Sequence, residues 1–262
     1  MSTTIDRLMQ LEKKVALITG INNDIGRTTA LAMAKAGAKI AIADEDVVKG
    51  EAIVAKICQT GGDAFFHEID ITLDREVINL IETVVDRYGG LDIAFNNASF
   101  ESDYFPIAQQ PEGLVAQSIN FNLNGTWMCI KHEIRQMVRQ NGGVIVNNVG
   151  RYGTNGRPGC AIYRANKAAI QAITETAAVE YARHNVRVNA IAPGILQPAT
   201  KLAQGIEVNG ERSFPAIVPM GRSGQFQEIA DTVVWLCSDR ASFVTGHILP
   251  IDGGLKALAA QT

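Results

Sequence analysis

Tyr163 and Lys167 stand four residues apart in an alanine-rich stretch. On a helix that spacing puts both side chains on one face. A phenol alone is a poor base at neutral pH, with a pKa of ~10. An ammonium beside it favours the phenolate and brings that value down. Tyr163 can then take a proton from an alcohol or return one to a carbonyl oxygen. The spacing also arises by chance, and a tyrosine at a helix start is ordinarily just half-buried, so a second set of residues has to carry weight.

Gly20, Gly26 and Asp44 are that set. Residues 15–19 form a short apolar run of strand length, Gly20 breaks it, and residues 25–36 carry small and apolar side chains at helical spacing until Gly37. Residues 39–43 are a second apolar strand with Asp44 at its end. Such a strand–helix–strand unit binds phosphate at its helix start, where unpaired N–H groups and the helix dipole favour an anion. Gly20 allows close approach of a pyrophosphate, and Gly26 lets helix and strand pack tightly. Asp44, 24 residues after Gly20, is placed to accept hydrogen bonds from a ribose 2′,3′-diol. Its carboxylate repels a 2′-phosphate, and no Lys or Arg lies between Gly20 and Gly26, so the unit favours NAD over NADP. Hydride transfer at a nicotinamide would complement proton transfer at Tyr163. Asp24, inside the turn, reads as the N-cap of the helix. The competing reading sets a negative charge near the pyrophosphate and weakens binding.

The rest of the chain must position these groups. Helices are expected over residues 46–59, 74–88, 161–184 and 227–238, and strands over 63–69, 91–95, 144–149, 186–192 and 247–250. A long helix spans 112–140, broken near 122–125, and residues 193–226 are irregular. This alternation predicts one α/β domain with a mostly parallel sheet and helices on both faces. Of the 262 residues 47% are hydrophobic, enough for a sizeable core, and a net charge of −3 argues against a nucleic-acid or anionic-membrane partner. The opening residues hold no long apolar run, so neither a signal peptide nor a membrane span is expected, and residues 1–12 read as a lead-in arm. Four scattered cysteines without a CxxC fit reduced thiols in a cytoplasmic protein, and four scattered histidines give no metal-ligand spacing.

The order of motifs resembles the short-chain dehydrogenase/reductase family over about residues 11 to 254. The matching runs are Thr19 to Gly26, Asp44, Asp70-Ile71, Asn96-Asn97-Ala98, Asn122 within FNLNG, Tyr163 to Lys167, Asn189 to Gly194, and Ile251-Asp252-Gly253-Gly254. The resemblance implies a single-domain, doubly wound (Rossmann) fold with seven strands, a nicotinamide cofactor, and a homotetramer or homodimer. It implies that Gly20, Asn23, Asp24, Ile25 and Gly26 surround the phosphates, that Asp44 holds the adenosine ribose, and that Asp70 and Ile71 bracket the adenine. Asn96 and Ala98 would line the path to the nicotinamide ribose, which Tyr163 and Lys167 would also contact. Pro193, Gly194 and Ile195 would flank the nicotinamide. Tyr163 would be the acid/base, Lys167 its partner, and Asn122 the residue that kinks the long helix and holds a relaying water. Residues 195–226 would be the substrate-loop insert. By the same resemblance the two long helices would build a dimer interface.

Four positions depart from the family pattern. Its catalytic serine lies thirteen residues before the tyrosine, and here that residue is Gly150. Losing such a donor costs about 10²–10³-fold in rate. A water, Asn148, or a hydroxyl of Tyr152 or Thr154 are the imaginable replacements. Asp24 takes the place of a loop glycine and Ser99 of the glycine in NNAG, where it would tighten a turn. Pro198 stands where a threonine is common, with Thr200 two residues on. The expected activity is NAD-dependent interconversion of a secondary alcohol and a ketone on a small to medium-sized, partly apolar molecule. Phe100, Tyr104, Phe105, Tyr152, Ile195, Leu196 and Phe214 would wall its pocket, with Arg151 and Arg157 nearby. The competing class is a dinucleotide-binding protein with weak or no redox catalysis, serving as a regulatory or assembly subunit.

Overall fold

Every residue of β1 (Val15–Thr19) is buried, as a central strand covered on both faces requires. The computed structural model describes residues 11–101, 104–150, 158–197 and 218–259. In chain order β1 is followed by α1 (Asp24–Lys35), β2 (Lys39–Asp44), α2 (Val47–Gln59), β3 (Ala64–Glu68), α3 (Asp74–Tyr88) and β4 (Ile93–Asn96). Then come α4 (Glu112–Ile119), a π-helical segment (Asn120–Gly125), α5 (Thr126–Arg139), β5 (Gly143–Asn148), α6 (Ala161–Tyr181) and β6 (Val186–Pro193). The short strands β7 (Leu196–Gln197) and β8 (Gly224–Gln225) precede α7 (Phe226–Cys237), β9 (Ile248–Ile251) and α8 (Leu255–Ala259).

Seven strands form one sheet in the order β3-β2-β1-β4-β5-β6-β9, and every pairing in it is parallel. The expected parallel sheet is thus parallel at every pairing. Alternation along β1 splits the core in two: Val15 and Leu17 pack with α3, α5 and α6, while Ala16 and Ile18 pack with α1, α2 and α7. From β1 the chain winds outward to β2 and β3, then returns to β4 on the other side. The direction reverses between β1 and β4, and a crevice opens at such a point outside the carboxyl ends of the strands.

The break expected at 122–125 is instead a continuous π turn joining α4 to α5. Such a turn keeps the helix but shifts its facing, and is frequent at functional sites. Of the lead-in arm, Leu11 is buried and its N–H donates to the Ala36 carbonyl at 2.7 Å. The two ends of the 195–226 insert pair as β7 and β8. Among the described residues no helix is long and apolar enough to cross a membrane, and no group of His, Cys, Asp or Glu is gathered to hold a metal ion.

Candidate active site

The turn after β1 is fixed by backbone contact. Gly20 has a φ of +80°, and a Cβ on it would lie 2.3 Å from the Ala98 Cα. Only glycine meets both demands. A Cβ on Gly26 would lie 2.1 Å from the Gly20 carbonyl oxygen, so α1 starts pressed against the turn. The N-cap of α1 is Asn23, not Asp24. Asn23 has extended backbone (φ −113°, ψ 163°), and its Oδ1 accepts the Gly26 N–H at 3.1 Å. Asp24 is already the first helical residue and pairs with Arg27 instead of turning back to cap. Its charge is thereby partly neutralised. Ile25 follows it, half-buried against the core.

Three carboxylates gather at the far end of the crevice. Asp44 Oδ2 accepts the Ile21 N–H at 2.7 Å, and Oδ1 accepts the Asn22 amide at 2.8 Å and the Asp46 N–H at 3.0 Å. Asp44 therefore braces the glycine turn as well as facing the crevice. Glu45 follows it, and burial together with the charges of Asp70 and Asp44 raises the Glu45 carboxyl above its ordinary value. Asp70 Oδ1 accepts the Thr72 N–H at 2.8 Å and hydroxyl at 2.7 Å. Ile71 is buried beneath the π segment, where a Cβ on Gly125 would lie 2.8 Å from it. A cation does reach the turn, from outside it: Lys49 of α2 donates to Asn22 Oδ1 at 3.2 Å and pairs with Asp46 at 2.7 Å.

An amide chain joins this turn to the opposite wall. Asn97 donates to the Gly20 carbonyl and, at 3.1 Å, to Asn23 Oδ1, and it accepts the Asn148 amide at 2.7 Å. Asn148 Oδ1 in turn accepts the Gly150 N–H at 3.0 Å, and the Asn148 carbonyl accepts the Lys167 ammonium at 3.2 Å. Asn148 is thus committed within the framework and does not replace the serine. Below it, Asn96 donates to Asn147 Oδ1 at 3.0 Å and to Glu133 Oε2 at 2.9 Å.

Lys167 is 3% exposed, and its ammonium lies 5.5 Å from the centre of the Tyr163 ring. Burial lowers its pKa to about 8, opposed by the carboxylate of Glu101. Gly150 has a φ of +58°, and a Cβ on it would meet the Tyr163 Oη at 3.5 Å with nothing else within 4 Å among the described residues. On the other side the Ser99 hydroxyl lies 3.3 Å from the Tyr163 Oη and 3.4 Å from Asn122 Oδ1. Asn122 is fully buried; its amide accepts the Phe100 N–H and donates to the Phe100 carbonyl, both at 2.8 Å. Pro193 ends β6, the Gly194 N–H donates to the Ile251 carbonyl at 2.9 Å, and Ile195 is buried. The glycine turn, Asp44, Asn97 and Ser99 line one crevice, and Ser99 joins it to the Tyr163 oxygen.

Residues 20–256 match the family model described as Enoyl-(Acyl carrier protein) reductase. A short chain dehydrogenase/reductase of Aspergillus oryzae, astE, is 37% identical over 260 residues, which cover 97% of this chain and 98% of that protein. The chain belongs to the short-chain dehydrogenase/reductase family. The 2,5-dichloro-2,5-cyclohexadiene-1,4-diol dehydrogenase of Sphingobium indicum is 36% identical over 96% of this chain and its own full length. The crystal structure of NAD⁺-bound xylitol dehydrogenase superposes with a TM-score of 0.87 at 36% identity, over 93% of this chain and 99% of that one. These relatives make this short-chain dehydrogenase/reductase an oxidoreductase by family.

Of the residues singled out in the sequence, Gly20, Gly26 and Asp44 meet at one turn, Asn122 and Tyr163 both reach Ser99, and Lys167 lies beside the Tyr163 ring. Sequence reasoning missed the Asn97–Asn148 link and Glu133, and it took Ser99 for a turn residue. The signal available for Ser99 was a hydroxyl at a position that resemblance assigns to glycine. Arg151, Tyr152, Thr154, Arg157, Pro198, Thr200 and Phe214 lie outside the described residues. Of the other expected pocket walls, Phe100 packs beside Phe121 and Tyr104 is 55% exposed.

Proposed function

We propose that this short-chain dehydrogenase/reductase uses NAD(H) to interconvert a secondary alcohol and a ketone on a small to medium-sized, partly apolar substrate. The observation that carries the reading is the buried Lys167 ammonium beside the Tyr163 ring, at the end of the Gly20 crevice. The crevice fits a dinucleotide. Its turn admits no side chain at Gly20, and the first turn of α1 offers N–H groups to a pyrophosphate. Asp44, Glu45 and Asp70 give the other end a negative field that favours a ribose diol over a 2′-phosphate. When bound there, the nicotinamide supplies or accepts the hydride.

The chain's own residues handle the proton. Tyr163 gives it to the substrate oxygen in reduction and takes it in oxidation. Lys167 favours the phenolate, and its own lowered pKa lets it pass a proton on near neutral pH. Asn148 orients the ammonium through its carbonyl, and Asn122 fastens the backbone at Phe100 opposite the tyrosine. Gly150 faces the acid/base where resemblance expects a serine donor. That one residue favours the second reading, a dinucleotide-binding protein with weak or no redox catalysis.

The test is a panel of secondary alcohols and ketones with NAD(H) and NADP(H), read by nicotinamide absorbance, for the native protein and Tyr163→Phe. Turnover with NAD is expected, falling by about 10²–10⁴-fold in the variant with cofactor affinity unchanged. Cofactor binding without turnover on any substrate favours the second reading. A preference for NADP removes the role assigned to Asp44.

A further inference from the structure

We infer that Ser99 is a catalytic hydroxyl of this site: it donates a hydrogen bond to the charged Tyr163 oxygen and so keeps that phenol acidic. The inference rests on the proposed role of Tyr163 and adds a residue from a different strand end to it. Ser99 lies three residues past the end of β4, at the reversal point of the sheet, and its Oγ lies 3.3 Å from the Tyr163 Oη. That hydroxyl also lies 3.4 Å from Asn122 Oδ1. The Asn122 amide is fixed in orientation, because its oxygen accepts the Phe100 N–H while its nitrogen donates to the Phe100 carbonyl, each at 2.8 Å. Exchanging oxygen and nitrogen would break both bonds.

Ser99 therefore carries one proton and faces two acceptors. While Tyr163 is protonated, the phenol can donate to Ser99 and Ser99 to Asn122. When Tyr163 gives up its proton, the serine hydroxyl turns to the phenolate and Asn122 keeps its backbone partner. A bond made only to the charged form lowers the pKa of the group that accepts it. At 3.3 Å the contact is longer than an ordinary O–H···O bond; a full charge draws such a bond to about 2.5–2.7 Å, and catalytic hydrogen bonds are commonly long before the substrate complex forms. The turn does not need this hydroxyl, because Asn122 already fastens Phe100 through two backbone bonds. Lys167 of α6 stands 5.5 Å from the centre of the Tyr163 ring, and the Glu101 carboxylate, from the segment after β4, acts on Lys167.

The experiment is a pH titration of tyrosinate absorbance in the native protein, Ser99→Ala and Ser99→Thr, each minus its Tyr163→Phe counterpart to isolate one phenol. The native Tyr163 is expected to titrate below the ordinary value of ~10. Ser99→Ala should raise it by about one pH unit or more, and Ser99→Thr should restore it. The acid limb of kcat/KM for alcohol oxidation should move up by the same amount, with NAD affinity unchanged within about twofold. If Tyr163 titrates low and Ser99→Ala leaves it there, the role of Ser99 is overturned while the proposed function stands. A loss of NAD affinity without a change in the titration likewise overturns it, making the hydroxyl a cofactor ligand. A native Tyr163 of ordinary acidity overturns both.

Discussion

The wall made by the ends of β1 and β2 and the wall made by the ends of β4 and β5 with α6 face each other across one crevice. They obey different rules. On the first wall the backbone dictates the residue: at Gly20 a positive φ coincides with a 2.3 Å approach to Ala98, and one amino acid satisfies both. On the second wall the proposed chemistry asks for a hydroxyl beside Tyr163, and any segment ending near that oxygen can deliver it. Gly150 and Ser99 come from neighbouring strands, yet a Cβ on one would lie 3.5 Å from the Tyr163 oxygen and the hydroxyl of the other lies 3.3 Å from it. A backbone constraint stays at its position in the sequence, whereas a side-chain donor can come from another strand.

Gly20→Ala is the sharpest way to break the first wall. The new methyl would lie 2.3 Å from the Ala98 backbone, and the residue would keep a left-handed φ. Overpacking and the left-handed conformation together cost about 3 kcal/mol. Chemical denaturation should register that loss, and a cofactor titration should show affinity falling by about a hundredfold or more, since turn and α1 must separate. A variant that binds cofactor normally would mean that the turn opens in solution and that backbone contact does not set the residue.

Gly150→Ser probes the second wall and should do less. Its φ of +58° makes a serine there strained by about 1 kcal/mol. With Ser99 already beside Tyr163, a second hydroxyl is expected to change kcat/KM by less than about tenfold. A gain of 10² or more, the size of a restored donor, would mean that the native site lacks one, and would favour the reading of a binding protein with little catalysis.

The same contrast explains what could be read in the sequence. The strand and helix alternation, the glycine turn and the Tyr163–Lys167 face follow from local spacing, and the fold reproduces them. The start of α1 was placed one residue late because Asn23 and Asp24 are both good caps; backbone angles, not residue type, decide between them. The helix was expected to break near 122–125, whereas the fold carries it through as a π turn with Gly125 packed against Ile71. Ser99 acquires its meaning from a contact 64 residues away and Asn97 from one 51 residues away. No local pattern encodes either.

Glu133 lies under the line where the two walls meet, and it gives the most discriminating measurement. It is fully buried on α5; Oε2 accepts the Asn96 amide at 2.9 Å, and Oε1 has no partner among the described residues. Burial pushes its carboxyl up to about 8 from an ordinary 4.5, with the Asn96 bond acting the other way. The folded state thus holds the proton more tightly than the unfolded chain. That contribution is complete below pH 4.5, shrinks as the pH rises, and is lost by pH of about 8. Lys167, lowered from 10.5 to about 8, acts in the next window and with opposite sign, since the unfolded chain there binds the extra proton. Glu133→Gln is neutral throughout, so its Tm should fall less than that of the native protein between pH 4.5 and about 8, the gap between the two curves shifting in the variant's favour by about 10 °C across that window. Parallel Tm curves would mean that Glu133 does not titrate in the folded state. Through Asn96, whose Oδ1 accepts the Thr19 hydroxyl of β1 at 3.4 Å, the same acid reaches the first wall, and through Asn147 it reaches Thr174 of α6 on the second. If Glu133→Gln moves the Tyr163 titration as well, the walls are coupled through this buried line; if only the Tm responds, they are independent and the amides below them serve stability alone.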